Sequence, residues 1–314
     1  TFEFFFLLKS KMHKKFFLIP FFLITITINI GPFYTYSIAK NKWQLSLFGS
    51  KILKYEDQDF GGISGITLSE NGENFVLLSD KSFFFKGKII RDNLNKIIDL
   101  KILEKGQLSS SKGEILTGKN IDSESIVKIG KKGYYISFES NNRIMYHETL
   151  KSPGKFLPEH SDFDKLLFND GIEALAIKDN GELYALPELP PKGKDFHPIY
   201  KFNNNSWSII DKIQIDQGFK IVDAEMIDDE NLITLERKFS FYDGFKIRLR
   251  RIKFEKDIIK NSEILLESLP WEYYNFEGLG KWKDSNGNIY LTLVSDNQFS
   301  PLLKTEVKEF ILNK

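Results

Sequence analysis

Five short segments of this chain share a residue pattern that could do chemistry. They read Ile63-Ser64-Gly65-Ile66, Ser123-Glu124-Ser125-Ile126, Ile172-Glu173-Ala174-Leu175, Ala224-Glu225-Met226-Ile227 and Phe276-Glu277-Gly278-Leu279. After each comes a turn and an apolar run that ends in a second acid: Asp80, Glu139, Glu188, Glu236 and Asp296. In an antiparallel hairpin the start of one strand and the end of the next lie at the same edge. The pattern therefore predicts nine carboxylates on one face: Asp80, Glu124, Glu139, Glu173, Glu188, Glu225, Glu236, Glu277 and Asp296. Like charges at close range raise one another's pKa unless cations intervene. Two neutralisers offer themselves. Lys81, Arg143, Arg237 and Lys238 follow the second acids closely, and Ca²⁺ is a hard cation that prefers a site made of oxygen ligands.

The elements that must position these acids follow from the repeat. Positions 64, 124, 173, 225 and 277 are separated by 60, 49, 52 and 52 residues. Asn71-Gly72, Lys132-Gly133, Asn180-Gly181, Asp229-Glu230-Asn231 and Asn286-Gly287 supply the turns, mostly with hairpin chemistry. A period near 50 with short strands and no helical periodicity predicts an all-β propeller of four-stranded blades. Five copies predict five blades, with room for a sixth in the 60-residue first interval. The third copy holds strands at 174–177, 183–186, 199–202 and 207–215. The last has space for three, so a strand at 43–48 is expected to complete that blade and close the ring, which removes an exposed sheet edge.

Composition narrows the function classes. The 314 residues carry 44 Lys plus Arg against 43 Asp plus Glu, so bulk charge gives no case for a nucleic-acid partner. No cysteine is present, which removes disulfides, thiol catalysis and cysteine-ligated metals. Residues 1–39 read as an upstream extension and a secretory signal peptide: the start falls at Met12, a basic Lys14-Lys15 follows, residues 16–30 are mostly apolar, and Ser37-Ile38-Ala39 precedes cleavage. The domain then occupies residues 40–314, free of the membrane after cleavage, in the periplasm or secreted, as a monomer. The run is shorter than the ~20 residues that span a bilayer; the alternative is a retained anchor.

The runs LSD (78–80), DSESI (122–126) with SFES (137–140), NDGIEALAI (169–177), LITLERKFS (232–240), and NFEGLG (275–280) with LVSDNQF (293–299) resemble the family called esterase-like activity of phytase, or phytase-like domain proteins. The resemblance covers residues 43–312. It implies a secreted or periplasmic bacterial β-propeller, by analogy with calcium-dependent β-propeller phytases, which hold metal-bridged phosphate over the channel. The first copy departs from the others in having Ser64 where they have Glu.

Each feature also has a plainer role. The motif glutamates can accept backbone N–H bonds that tie one blade to the next. Arg237 can be a partner of Glu236 or Glu225. Gly65, Gly278 and Gly280 relieve crowding at the channel. Gly62-Ile63-Ser64-Gly65 lacks the spacing of a nucleophile elbow. His147, His160 and His197 are not at metal-ligand spacing, and His197 reads as a surface residue in a rim loop; a Ser-His-Asp hydrolase is therefore disfavoured. The sequence is best read as an exported phytase-like hydrolase that cleaves a phosphoric ester with Ca²⁺ bound by the carboxylate ring and Lys81, Arg143 or Arg237 binding the small phosphorylated or ester substrate. A lactonase- or carboxylesterase-like propeller, or a propeller that binds a ligand or protein without catalysis, are the alternatives.

Overall fold

A computed structural model describes residues 43–167 and 169–314. The proposed signal segment, 1–39, lies outside the described residues. The chain opens with β1 (Gln44–Ile52), then forms β2 (Ile63–Leu68), β3 (Asn74–Ser79), β4 (Phe83–Arg91) and β5 (Ile97–Gln107) as the first sheet. The second is β6 (Ser123–Ile129), β7 (Gly133–Phe138), β8 (Arg143–His147) and β9 (Lys155–Phe156), and the third β10 (Ile172–Ile177), β11 (Leu183–Pro187), β12 (Phe196–Asn203) and β13 (Ser206–Gln214). The fourth holds β14 (Lys220–Met226), β15 (Asn231–Ser240), β16 (Gly244–Glu255) and β17 (Ile258–Glu267). In the fifth, β18 (Asn275–Lys283), β19 (Ile289–Asp296) and β20 (Glu306–Asn313) are joined by β1 as outermost strand. All pairs are antiparallel, and the inner strands β2, β6, β10, β14 and β18 contact one another in a closed ring. The long β4–β5 hairpin and the 108–122 connection take up the 60-residue first interval, so the propeller has five blades.

The second strand of each blade explains why the runs after the turns are apolar throughout. Side chains alternate across a strand, and here both faces are buried between blades. In β3, Phe75 and Leu77 pack toward the fifth blade while Val76 and Leu78 pack toward the second. In β11, Tyr184 and Leu186 face the fourth blade, and Leu183 and Ala185 face the second. Five apolar clusters thus fill five inter-blade gaps. The gap where the chain ends meet carries an added polar clasp. Arg91 forms a bidentate pair with buried Glu309 at 2.7 Å and lies 4.0 Å over the Trp282 ring, while Trp282 Nε1 and Thr292 Oγ1 donate to the same carboxylate. Near the axis the inner strands approach so closely that a Cβ on Gly278 would lie 3.0 Å from the Gly65 backbone.

Candidate active site at the channel mouth

Two features of the blade place side chains over one mouth of the channel. Each inner strand is bulged where it begins: the register shifts at Ser64, at Glu124-Ser125, at Glu173, at Val222 and at Glu277. A bulge leaves its extra residue unpaired and re-aims it, and here Glu124, Glu173 and Glu277 come to line the mouth. Beside that bulge, at the edge of the inner pairing, stand Asp80, Glu139, Glu188, Arg237 and Asp296; each but Arg237 is where its second strand ends, while β15 runs on to Ser240. The bulge position is acidic in three blades and the position beside it in four.

The fourth blade differs from the expectation. The pairing of Ile221 with Glu236 and of Lys220 with Arg237 puts Val222, not Glu225, at the bulge, and Arg237, not Glu236, beside it. Glu225 sits three residues, about 10 Å, farther along β14, where burial pushes its carboxyl up to about 7, partly offset by Lys281 at 3.6 Å. Glu236 points away from the mouth and binds Arg250 at 2.6 Å, in a cluster completed by Arg248 and Asp216. Neither belongs to the ring. Seven of the nine predicted acids do meet, with Asp122 as an eighth, around a recess of about 460 Å³ that also contains Asn169, Lys220, Arg237, Gln298 and Phe299.

The predicted basic residues separate in the same way. Arg237 is central: it donates to Glu188 at 3.1 Å, to Asn275 at 2.9 Å and to Glu277. Burial works against its charge, but Glu277, Glu188 and Glu173 outweigh it and hold the guanidinium protonated. Lys220, which sequence reasoning missed, spans Asp170 at 2.7 Å and Glu188 at 2.8 Å. Lys81 stays exposed at the margin, 3.4 Å over the Phe299 ring. Arg143 does not line the recess. It is buried 4.0 Å over the Phe138 ring with its donors on the Asn141 and Asn120 carbonyls, and burial pushes it down to about 10. His197 is likewise not a rim residue: it is 2% exposed in β12, its Nδ1 3.2 Å from the Pro187 carbonyl oxygen.

Eight carboxylates against two cations leave the mouth with a large excess of negative charge, concentrated on the second and third blades. Burial pushes Asp80 up to about 6 and Glu139 and Asp296 up to about 7, with neighbouring acids adding to each. Glu124 and Glu173 are raised well above the usual range, first by burial and then by neighbouring acids, Glu139 acting on Glu124 and Glu124 on Glu173. No hydrogen-bond donor among the described residues reaches Glu124, although it is only 7% exposed. Asp122, Glu124 and Glu139 each offer an oxygen within 4.8 Å of the others. An all-oxygen set with uncompensated charge fits a hard divalent cation.

The inter-blade ties are made by other groups. Asp223, also missed, is buried at the axis. Its Oδ1 accepts from Ser125 Oγ at 3.0 Å and Ala224 N at 2.9 Å, its Oδ2 from Leu279 N at 2.6 Å. Ser125 Oγ in turn accepts Leu175 N at 3.2 Å, so one polar chain links blades two to five. Ser64 closes the first blade by donating to the Ser123 carbonyl at 2.7 Å, which occupies its hydroxyl proton as a structural bond. Among the strand-end acids, Glu139 accepts Gly171 N at 2.7 Å and Asp296 accepts Ile63 N at 3.1 Å. These two are both ties and mouth residues.

The raised carboxyls dictate a pH dependence. Their folded-state pKa values exceed the unfolded ones, so the folded chain binds more protons, and the stability this provides is lost as pH rises from about 4 through about 7. The melting temperature of protein kept in chelator is expected to fall from pH 5 to pH 8, and added divalent cation to flatten that decline. A metal-free stability that rises over this interval would contradict the assignment of uncompensated charge.

The fold and site together define a closed five-bladed propeller whose carboxylate-rich mouth is organised by inner-strand bulges. The family model for Phytase-like proteins, described as esterase-like activity of phytase, matches residues 58–299; the chain belongs to this family. That membership supports a hydrolase-type propeller. No curated protein matches the chain. Among solved structures it is similar to the α-L-arabinofuranosidase PaAbf62A of Podospora anserina in complex with cellotriose, at 11% identity and TM-score 0.48, over 87% of this chain and 97% of that one. It is also similar to the WD40 repeats of RRP9, at 7% identity and TM-score 0.45, over 86% and 100% of the two chains.

Proposed function

We propose that this chain is an exported hydrolase that cleaves a phosphoric ester at the mouth with Ca²⁺ bound there. The observation that carries the reading is the Asp122–Glu124–Glu139 cluster, three oxygens within 4.8 Å in a recess whose other acids are also short of counter-charge. These three residues would hold the cation. When bound, it supplies charge compensation and Lewis-acid polarisation of a phosphoryl oxygen. The chain's own cations then orient the anion: Arg237 and Lys220 stand on the fourth-blade side, each fixed by two carboxylate partners, so little ordering is left for the moment of binding. Asp296 has its Oδ1 engaged by Ile63 N and Gln298 N; its Oδ2 is the atom able to carry a proton to a leaving alkoxide, and a carboxyl near 7 suits that task.

A panel of phosphomonoester, phytate, lactone and carboxylester substrates, assayed with Ca²⁺ and with chelator, tests the reading. Hydrolysis of phosphoric esters that chelator abolishes is the expected result. Turnover of lactones or carboxylesters alone would transfer the mouth to the second hydrolase class, and no turnover with any substrate would leave a binding propeller.

A further inference from the structure

Five of the six exposed aromatic side chains among the described residues, all but Phe156, lie on the mouth side of the fourth and fifth blades. Phe239, Phe241 and Tyr242 are on the β15–β16 hairpin that rises past Arg237. Trp271 is in the connection that enters β18, and Phe299 lines the recess itself. Trp271 is not a loosely hung side chain. Its backbone is held at φ 60°, in the left-handed region that a bulky residue rarely adopts, by a bond from its N–H to the Asp243 carbonyl at 2.9 Å. Its indole N–H donates to the Tyr242 carbonyl at 2.8 Å. One ring face lies directly on Gly244, where a Cβ would come within 2.5 Å of the indole; Gly244 is itself at φ 64°. The indole is nonetheless 68% exposed. Ring orientation is therefore fixed before anything binds, which lowers the cost of stacking on it.

The charges around this surface are turned to local partners. Glu272 accepts Leu269 N at 2.7 Å, Asp243 accepts from Ser240 Oγ at 3.1 Å, and Lys246 pairs with Glu267 at 3.1 Å. What remains available is aromatic ring face. The surface begins beside the recess, since Phe239 is two residues, about 7 Å of strand, beyond Arg237 and Phe299 lines the recess.

We infer that Trp271 and Tyr242 form a stacking subsite for an uncharged, ring-bearing apolar group on the alcohol side of the ester, so that the substrate class is an amphiphilic phosphoric ester rather than a small polar one. This rests on the hydrolase reading above for the identity of the scissile group, but the subsite itself is a matter of binding. The test is calorimetric titration of the full propeller, in Ca²⁺, with 1-naphthyl phosphate, methyl phosphate, inorganic phosphate and 1-naphthol. Wild type is expected to bind 1-naphthyl phosphate more tightly than methyl phosphate and to bind 1-naphthol alone. Trp271→Ala is expected to lose about tenfold toward both naphthyl probes, as one well-placed aromatic contact would give, with inorganic phosphate unaffected. Tyr242→Ala removes a ring that is 87% exposed while keeping the carbonyl that anchors Trp271, so the orientation of the indole is preserved. Equal affinity of both variants and wild type for the naphthyl probes would overturn the subsite. So would binding of phosphatidylcholine vesicles, or self-association abolished by Trp271→Ala, in a protein indifferent to 1-naphthol. If 1-naphthyl phosphate binds through Trp271 but is never cleaved, the subsite stands and the hydrolase reading falls.

Discussion

Replacing Asp223 with alanine is expected to destabilise the propeller by about 3–5 kcal/mol. The carboxylate sits at the axis, 2% exposed, and accepts from Ser125 Oγ and from the backbone N–H groups of Ala224 and Leu279. Truncation strands those donors away from water, and a buried donor left unmade costs about 1–3 kcal/mol. Because Ser125 also holds Leu175 N, the loss spreads across four blades. At roughly 2–4 °C per kcal/mol for a domain of this size, the melting temperature should fall by about 10 °C, with or without Ca²⁺. A loss below about 1 kcal/mol in urea unfolding would show that the axial chain of bonds is dispensable.

Glu124→Gln should behave in the opposite way. Glu124 is as buried as a core residue, yet no donor among the described residues satisfies it, and burial together with Glu139 and Asp122 opposes its charge. Removing an uncompensated buried charge stabilises or is neutral, so the variant in chelator should be at least as stable as wild type at pH 7. Its Ca²⁺ affinity should drop by about a hundredfold or more, beyond the loss of about 10–100-fold seen when only an outer partner of a ligand is removed. Calorimetric titration with Ca²⁺ reads the affinity, and thermal unfolding in chelator reads the stability. Lower metal-free stability with unchanged affinity would make Glu124 a structural tie and move the cation elsewhere.

Much of this arrangement is legible in the sequence because it rests on short-range rules. The turn dipeptides and the continuous apolar runs after them mark second strands buried on both faces, and the missing fourth strand of the last copy correctly points to the segment at Trp43, which forms β1 against β20. Seven ring acids follow from the hairpin geometry alone. The fourth blade misleads because matching by residue type favours Ala224-Glu225-Met226, whereas pairing sets the register. Its spacing carried the signal: Glu225 to Glu236 is 11 residues, against 15 for both Glu124–Glu139 and Glu173–Glu188, and 15 is recovered from Val222 to Arg237. Asp223 escapes a reading by pattern because a lone acid in an apolar strand has no periodic counterpart, and its partners beyond its own strand come from two other blades. Neighbouring charged or loop-like residues suggest accessible positions for Arg143 and His197, while their burial depends on packing partners distant in sequence.

The melting temperature of the wild-type protein at pH 7.5, in millimolar Ca²⁺ and in chelator, decides whether a cation belongs at the mouth. A cation that binds only the folded state stabilises it by RT ln(1 + [L]/Kd), about 2.7 kcal/mol at a hundredfold excess. For a site of ~10 μM affinity, this corresponds to a rise of roughly 5–10 °C. Mg²⁺ should give less, because it dehydrates reluctantly and demands a small octahedral shell. That rise, reversed by chelator, is the expected result; a melting temperature that is the same in Ca²⁺, Mg²⁺ and chelator would rule out a cation site at the mouth.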